Sequence, residues 1–335
     1  MFWRRFIIRA FIGLTLVFTI GASFGLALLI ESKGLIFFWS TPEHEHPLTK
    51  EPFPVSVNSY TQVINNDPEV DQFFTDTLAS APNSRRNWWN KTAAVFANHT
   101  WYQNLASPIT RIIVIWPGER KEEVTKHIGD ILRWNGDDRT TFQQLTDAST
   151  PILTEGKYFP GQYVAHRGAT PSDIQSLISE SFKTEILERY TSEVAAQVPL
   201  DDALIIASLL EREASDFDNM REVAGVIWNR LFIDMPLQLD ATLQYVKGSK
   251  SYEPKWWPVV RPNDKFLTSP YNTYENPGLP PAPIANPSAE AVLAALNPIV
   301  TECLFYFHTN NGDYHCSKNY EDHVAKLRSI YGRGS

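Results

Sequence analysis

Cysteine is nearly missing from this chain: two residues, Cys303 and Cys316, in 335. Two thiols cannot build a disulfide scaffold, and no Cys/His set with metal-ligand spacing accompanies them. Basic runs are missing as well. The formal net charge is −8, and no lysine-rich stretch or basic patch appears. This argues against nucleic acid and anionic lipid headgroups as partners. No glycine-rich phosphate loop is present, so neither nucleotide, cofactor nor metal is expected. His44 and His46 stand without further nearby ligands and read as solvated loop residues. Internal repeats and low-complexity tracts are also absent. What is there suits a folded protein of two or three domains: 43% hydrophobic, 20% charged and 13% aromatic residues, with ten Trp. Such aromatic richness fits a bulky core or a surface that stacks on flat ligands such as sugar rings.

One long uncharged run stands out, Ala10 to Ile30, preceded by Arg4, Arg5 and Arg9. Its length matches a bilayer core, and the basic flank predicts a cytoplasmic N-terminus with the bulk exported. A cleaved signal would have a shorter apolar region and a small-x-small site, which Ala27-Leu-Leu-Ile-Glu31 lacks. The expectation is therefore a single-pass anchor, with residues 1–9 cytoplasmic, 10–30 in the membrane and 31–109 forming a stalk and membrane-proximal module.

Thr110–Trp116 is a β-branched run that reads as a strand, broken by Pro117-Gly118, with a helix over Glu119–Trp134. Glu155–Val164 reads as short extended pieces around a turn. Thr170-Pro171-Ser172-Asp173 opens a helix reaching about Tyr190. Leu200–Ser215 and Asn219–Ile233 follow as helices, the second capped by Asp218. Leu237–Tyr245 alternates polar and apolar; if extended, it presents Gln238, Asp240 and Thr242 on one side. Residues 250–286 read as an irregular, proline-stiffened loop, and Asn286-Pro287 opens a helix to Asn297. Leu304–Thr309 and Tyr314–Ser317 read as a hairpin around Asn311-Gly312, before a last helix from about Asn319. That register sets Cys316 opposite Phe307 and leaves Cys303 too distant to bond, which predicts two free thiols.

The most informative stretch is Ala203–Ser215, where an aliphatic helix runs into Glu211 and Glu213. A carboxylate beside aliphatic side chains is paired, exposed, or kept protonated by desolvation. The last is what a general acid needs near neutral pH. Helical winding separates the two acids by about 200°. Glu213 falls among Ile206, Leu209 and Leu210, and Glu211 nearer Leu204, Ala207 and Ser208. Spacing alone leaves open that both acids merely end a helix in water.

Further motifs then bear on the choice. Ala207-Ser-Leu-Leu-Glu-Arg-Glu-Ala214 is followed by Val226-Ile-Trp-Asn-Arg-Leu231, Leu237-Gln-Leu-Asp240, Thr242, Ser269-Pro-Tyr-Asn-Thr-Tyr274, Gly278-Leu-Pro-Pro281 and Asn286-Pro287. Upstream stand Glu155-Gly156, Phe159-Pro160 and Tyr163. In order and spacing these resemble the endolytic murein transglycosylase (YceG-like) family, strongly over 200–335, fairly over 110–199 and weakly over 34–109. Two departures are visible. Ala241 stands where the family usually has Pro, and Tyr314-His315-Cys316-Ser317 replaces a His-x-Phe-Ser pattern.

The resemblance implies an α+β fold. An N-terminal transmembrane helix and a small LysM-like module would precede a YceG-like α/β region over 110–199. A mainly helical catalytic core with a small antiparallel sheet would follow over 200–335. It implies Glu213 as the catalytic acid, because the family's second acid of the pair holds that role. The reaction implied is cleavage of the β-1,4 bond between N-acetylmuramic acid and N-acetylglucosamine within peptidoglycan strands. Glu213 would protonate the leaving oxygen, then take the proton of the muramoyl 6-hydroxyl as that oxygen attacks the anomeric carbon. Supporting roles fall to Glu211, Asn229, Gln238 and Asp240. Sugar contacts fall to Thr242, Tyr245, Tyr271, Asn272, Thr273 and Tyr274. The expected setting is the bacterial inner membrane with the bulk in the periplasm, beside peptidoglycan strands and cell-wall synthases. Two rivals remain: a hydrolase using Asp240 as base on water, and a catalytically inactive, anchored glycan-binding or assembly protein.

Overall fold

The structure, a computed structural model, describes residues 51–66, 109–148, 153–248 and 255–332. Two compact units emerge. In the smaller one the described residues are 109–114 and 162–167. They make up nearly all of strands β3 (Thr110–Ile115) and β4 (Gly161–His166), which pair with each other.

The larger unit opens with a two-residue hairpin, β1 (Val57–Asn58) and β2 (Val63–Ile64), paired antiparallel. Helices α1 (Lys121–Leu132) and α2 (Gly136–Ala148) follow. Next come α3 (Pro171–Phe182), a π-turn at Lys183–Leu187 and a single turn, α4 (Ser192–Ala195). The core is built on α5 (Leu200–Glu213), α6 (Phe217–Phe232), α7 (Asp240–Gly248) and α8 (Ala289–Leu296). The antiparallel hairpin β5 (Phe305–His308) and β6 (Tyr314–Ser317) precedes the last helix, α9 (Tyr320–Tyr331).

Helix α5 is central because Ala203 through Leu210 are all buried. A helix apolar on every side needs neighbours all round, and α5 packs most extensively on α8 and also on α6 and α7. Residues 51–59 join this same core rather than a separate module. Phe53 and Val57 are core residues, and the Ser56 N–H donates to the Leu296 carbonyl at 3.0 Å.

The expected membrane architecture needs correction. Among the described residues no helix is long and apolar enough to cross a membrane. The run at 10–30 on which the anchor, the inner-membrane placement and the periplasmic orientation rested lies outside the described residues, as do His44 and His46. Most of the expected LysM-like module, 67–108, lies outside them too.

Three local expectations are also revised. The α6 cap is Asp216, whose side chain accepts from Asn219 N–H, so the helix starts two residues earlier than Asp218 suggested. From Asp240 onward, Leu237–Tyr245 is helix, not strand. Nor are the cysteines free: Cys303 and Cys316 form a disulfide, with Cα atoms 5.8 Å apart. The hairpin register pairs Cys316 with Tyr306, one residue from the expected Phe307. The Leu304 N–H and the Phe305 register position both address Ser317. Two residues against one is a bulge, and the bend it makes brings Cys303 back toward Cys316.

Candidate active site

The C-terminal turn of α5 spreads three charged side chains in three directions. Glu211 reaches the loop before α8, where its Oε1 accepts from Ser288 N–H at 2.7 Å. Ser288 is the N-cap of α8. Glu211 thus meets the positive end of that helix, although burial still holds its pKa above the ordinary value. Arg212 lays its guanidinium over the Trp257 ring at 3.9 Å, within the range of a cation–π contact. Glu213 turns the opposite way from Glu211. Its Oε2 accepts from the Tyr306 hydroxyl at 3.0 Å, and the Ala241 backbone N–H also donates to it.

The Ala241 donor comes from the first turn of α7, where backbone N–H groups have no partner inside the helix. Against both donors, loss of solvent pushes the Glu213 carboxyl up to about 7, with the nearby Asp240 charge adding to the rise. Glu213 is half-buried by surface area, so its carboxyl is desolvated without being sealed off. That combination suits a group that must hold a proton at neutral pH and still meet a substrate.

Asp240 stands beside it, exposed, at the start of α7. Its Oδ1 accepts from the Tyr274 hydroxyl at 2.7 Å. Of the residues predicted from sequence, Glu213, Asp240 and Tyr274 are therefore brought together. Gln238 lies next to them in chain, exposed, with a left-handed φ of 53°. Its N–H donates to the Thr273 carbonyl.

Other predicted sugar contacts spend their polar groups on the protein. Thr242 is fully buried and its Oγ1 donates to the Leu239 carbonyl at 2.7 Å. Thr273 Oγ1 accepts from Leu239 N–H at 3.0 Å. Asn272 donates to the carbonyls of Lys265 and Leu267 at 2.9 and 2.8 Å. These three side chains fix the 265–274 loop to the start of α7, which is what sets Asp240 and Tyr274 in place. Asn229 is also a clamp: its Nδ2 donates to the carbonyls of Thr301 and Cys303 at 2.7 and 3.1 Å.

Tyr245 and Tyr271 form a separate group. Their ring centroids lie 4.9 Å apart, and the buried Arg120 guanidinium sits 4.2 Å from the Tyr245 ring. Close to them is a buried carboxyl that the sequence did not single out for chemistry, Glu155. Its Oε1 accepts from Lys121 N–H at 2.8 Å, at the start of α1, and its Oε2 is buried without a hydrogen-bond partner. Desolvation pushes this carboxyl up to about 8, with the Glu122 charge adding to the rise. Unfolded, it ionises near the ordinary 4.5. Between those values the native state holds the proton more tightly, so stability is greatest below about 4.5 and is lost as pH rises through about 8. Glu155→Gln is expected to flatten that part of the curve. Thermal midpoints of parent and variant at pH 5 and pH 8 would show the difference, and parallel curves would count against a neutral Glu155.

Two residues of the site escaped sequence reasoning. Tyr306 was not singled out at all: it sits in a hairpin whose expected register was off by one residue, and no pattern in the sequence set it beside the acid. The Ala241 amide has no side-chain signature at all. The only sequence hint was that Ala occupies a position where a resembling family usually has Pro, which carries no N–H.

A half-buried acid at the end of a central helix, held by a hairpin tyrosine and the amide end of a second helix, fits general-acid chemistry that needs a single protonated carboxyl. The YceG-like family model matches residues 91–329. The chain belongs to the YceG-like family. It is 34% identical over 172 residues to an endolytic murein transglycosylase of Bacillus subtilis (strain 168), covering 50% of this chain and 46% of that protein. It is 30% identical over 183 residues to an endolytic murein transglycosylase of Streptococcus pneumoniae serotype 2 (strain D39 / NCTC 7466), covering 53% of this chain and 32% of that one. The matches thus span less than half the length of these relatives. Among solved structures, the yceG-like protein lmo1499 from Listeria monocytogenes superposes with a TM-score of 0.56 at 27% identity. That alignment covers 64% of this chain and 75% of that one.

Proposed function

We propose that this protein is an endolytic lytic transglycosylase that cuts the MurNAc-β-1,4-GlcNAc bond within peptidoglycan strands. The observation that carries the reading is the Glu213 carboxyl, pushed up to about 7 yet still partly exposed. The relatives' names support the substrate. Glu213 in its acid form gives its proton to the glycosidic oxygen as the C1–O4 bond breaks and oxocarbenium character develops. The resulting carboxylate takes the proton of the muramoyl 6-hydroxyl as O6 bonds to C1. The product is a 1,6-anhydro ring, no water is consumed, and Glu213 ends protonated as it began. Asp240 and Tyr274 form the polar wall next to Glu213 and are the proposed contacts for sugar hydroxyl or acetamido groups. Glu211 is proposed to brace the helix end through Ser288.

The hydrolase rival uses Asp240 as base on a water. Mass spectrometry of muropeptides released from purified sacculi separates the two, because an anhydro end is one water lighter than a reducing end. Predominantly anhydro products are expected. Reducing ends alone would transfer the role to Asp240 and water, and no release at all would leave the glycan-binding reading.

A further inference from the structure

The hairpin β5–β6 does more than close the fold's edge. Tyr306 lies on β5 directly opposite Cys316 of the disulfide, and its hydroxyl is within hydrogen-bond distance of Glu213. The base of the hairpin is tied to α6, because Arg230 Nε donates to the Leu304 carbonyl at 2.6 Å and Asn229 Nδ2 to that of Cys303. The Tyr306 ring stacks on Tyr314 of β6, centroids 6.0 Å apart. A side chain held at strand, ring and hydroxyl has little rotamer freedom left, so the atom it touches is held with it.

We propose that Tyr306 is a positioning residue for the acid: together with the Ala241 amide, it fixes the Glu213 carboxyl and sets the pH at which that carboxyl gives up its proton. This rests on Glu213 being the general acid. The phenol is a donor to Oε2, so it favours the ionised form. Burial holds the phenol's own proton far above the neutral range, so Tyr306 donates throughout the working pH. Other charged or titratable groups among the described residues act on this pair. Arg212 from α5 lowers the Glu213 pKa and Asp240 from α7 raises it. Arg230 from α6 and Tyr314 from β6 act on Tyr306, and Tyr274 feels the Glu213 charge from the 269–274 loop. Among the described residues, Tyr306 and the Ala241 amide are the hydrogen-bond donors to the carboxyl.

Because both donors stabilise the carboxylate, removing either should raise the acid's pKa. Activity that requires the protonated form should then persist to higher pH, while the loosened carboxyl slows the step itself. Tyr306→Phe is nearly isosteric. It is expected to lower kcat by about tenfold near pH 6, the worth of one hydrogen bond to a charged group, with KM unchanged, and to move the alkaline limb of the kcat profile upward. Ala241→Pro removes the other N–H at a helical turn that tolerates proline and should move the limb the same way.

The assay is muropeptide release from sacculi across pH 5 to 9 by the parent, both variants and Glu213→Gln. An inactive Glu213→Gln with both limbs displaced upward supports the proposal. An inactive Glu213→Gln with limbs unmoved overturns it and leaves the enzyme reading standing. An active Glu213→Gln removes Glu213 as the general acid instead, and with it the reading on which this proposal rests. A loss of kcat without displacement marks Tyr306 as a packing residue only.

Discussion

Glu213→Gln should abolish strand cleavage while leaving the protein folded. The amide keeps the shape of the carboxyl and can still accept from Tyr306 through its carbonyl oxygen, but it has no proton to give. General acid–base groups contribute about 10²–10⁴ in rate, and here one group serves both halves of the reaction, so the upper part of that range is expected. Folding stability should hold or rise, because a carboxyl that pays for desolvation in its ionised form is replaced by a neutral group. In the parent, activity should fall as pH rises through about 7, where Glu213 loses its proton. Release of soluble muropeptides, with circular dichroism on the same samples, checks both halves of the prediction. A variant that is folded and fully active would remove Glu213 from the mechanism.

The largest stability effect is expected from Leu209→Ala. Leu209 is fully buried in the core cluster and lies one turn before Glu213 on α5. Its truncation leaves a cavity where α5 meets its neighbours, at a cost of about 2–5 kcal/mol. Leu177→Ala, on a side chain 39% exposed on α3, should cost about 0.5 kcal/mol or less. Urea unfolding of both variants tests the contrast; equal midpoints would mean that α5 is not the centre of the core. The active site should feel Leu209→Ala only through the fraction unfolded, since no polar contact of Glu213 is changed.

Much of this was legible in the sequence, for reasons that differ from residue to residue. The aliphatic run on α5 and the winding of its two acids predicted that Glu211 and Glu213 part company, and they meet Ser288 and Tyr306 respectively. The start of α3 was equally plain, because Thr170 caps it through Asp173 N–H with Pro171 in the first turn. By contrast, Leu237–Tyr245 is short, and its alternation fits a strand as well as a helix. Tertiary packing on the 265–274 loop decided for helix.

Thr242, Asn272 and Thr273 show a second limit. A polar side chain in a motif does not disclose whether it faces a ligand or a backbone carbonyl, and these three face the backbone. The hairpin shows a third. A three-residue turn over 310–312, where two residues were expected, displaced the register by one, and the bulge at Leu304–Phe305 then brought Cys303 to Cys316. No side-chain pattern in Leu304-Phe-Tyr-Phe307 marks such a bulge. The single-pass architecture drawn from residues 10–30 has no counterpart among the described residues.

The most direct measurement is the ionisation of one carboxyl. With glutamate side chains labelled with carbon-13, the carboxyl resonance missing from Glu213→Gln identifies Glu213 in the parent, and its chemical shift can be followed from pH 3 to 9. The account predicts a midpoint at about 7. A midpoint at the ordinary 4.5 would mean that the residue is a carboxylate at neutral pH, with no proton to deliver.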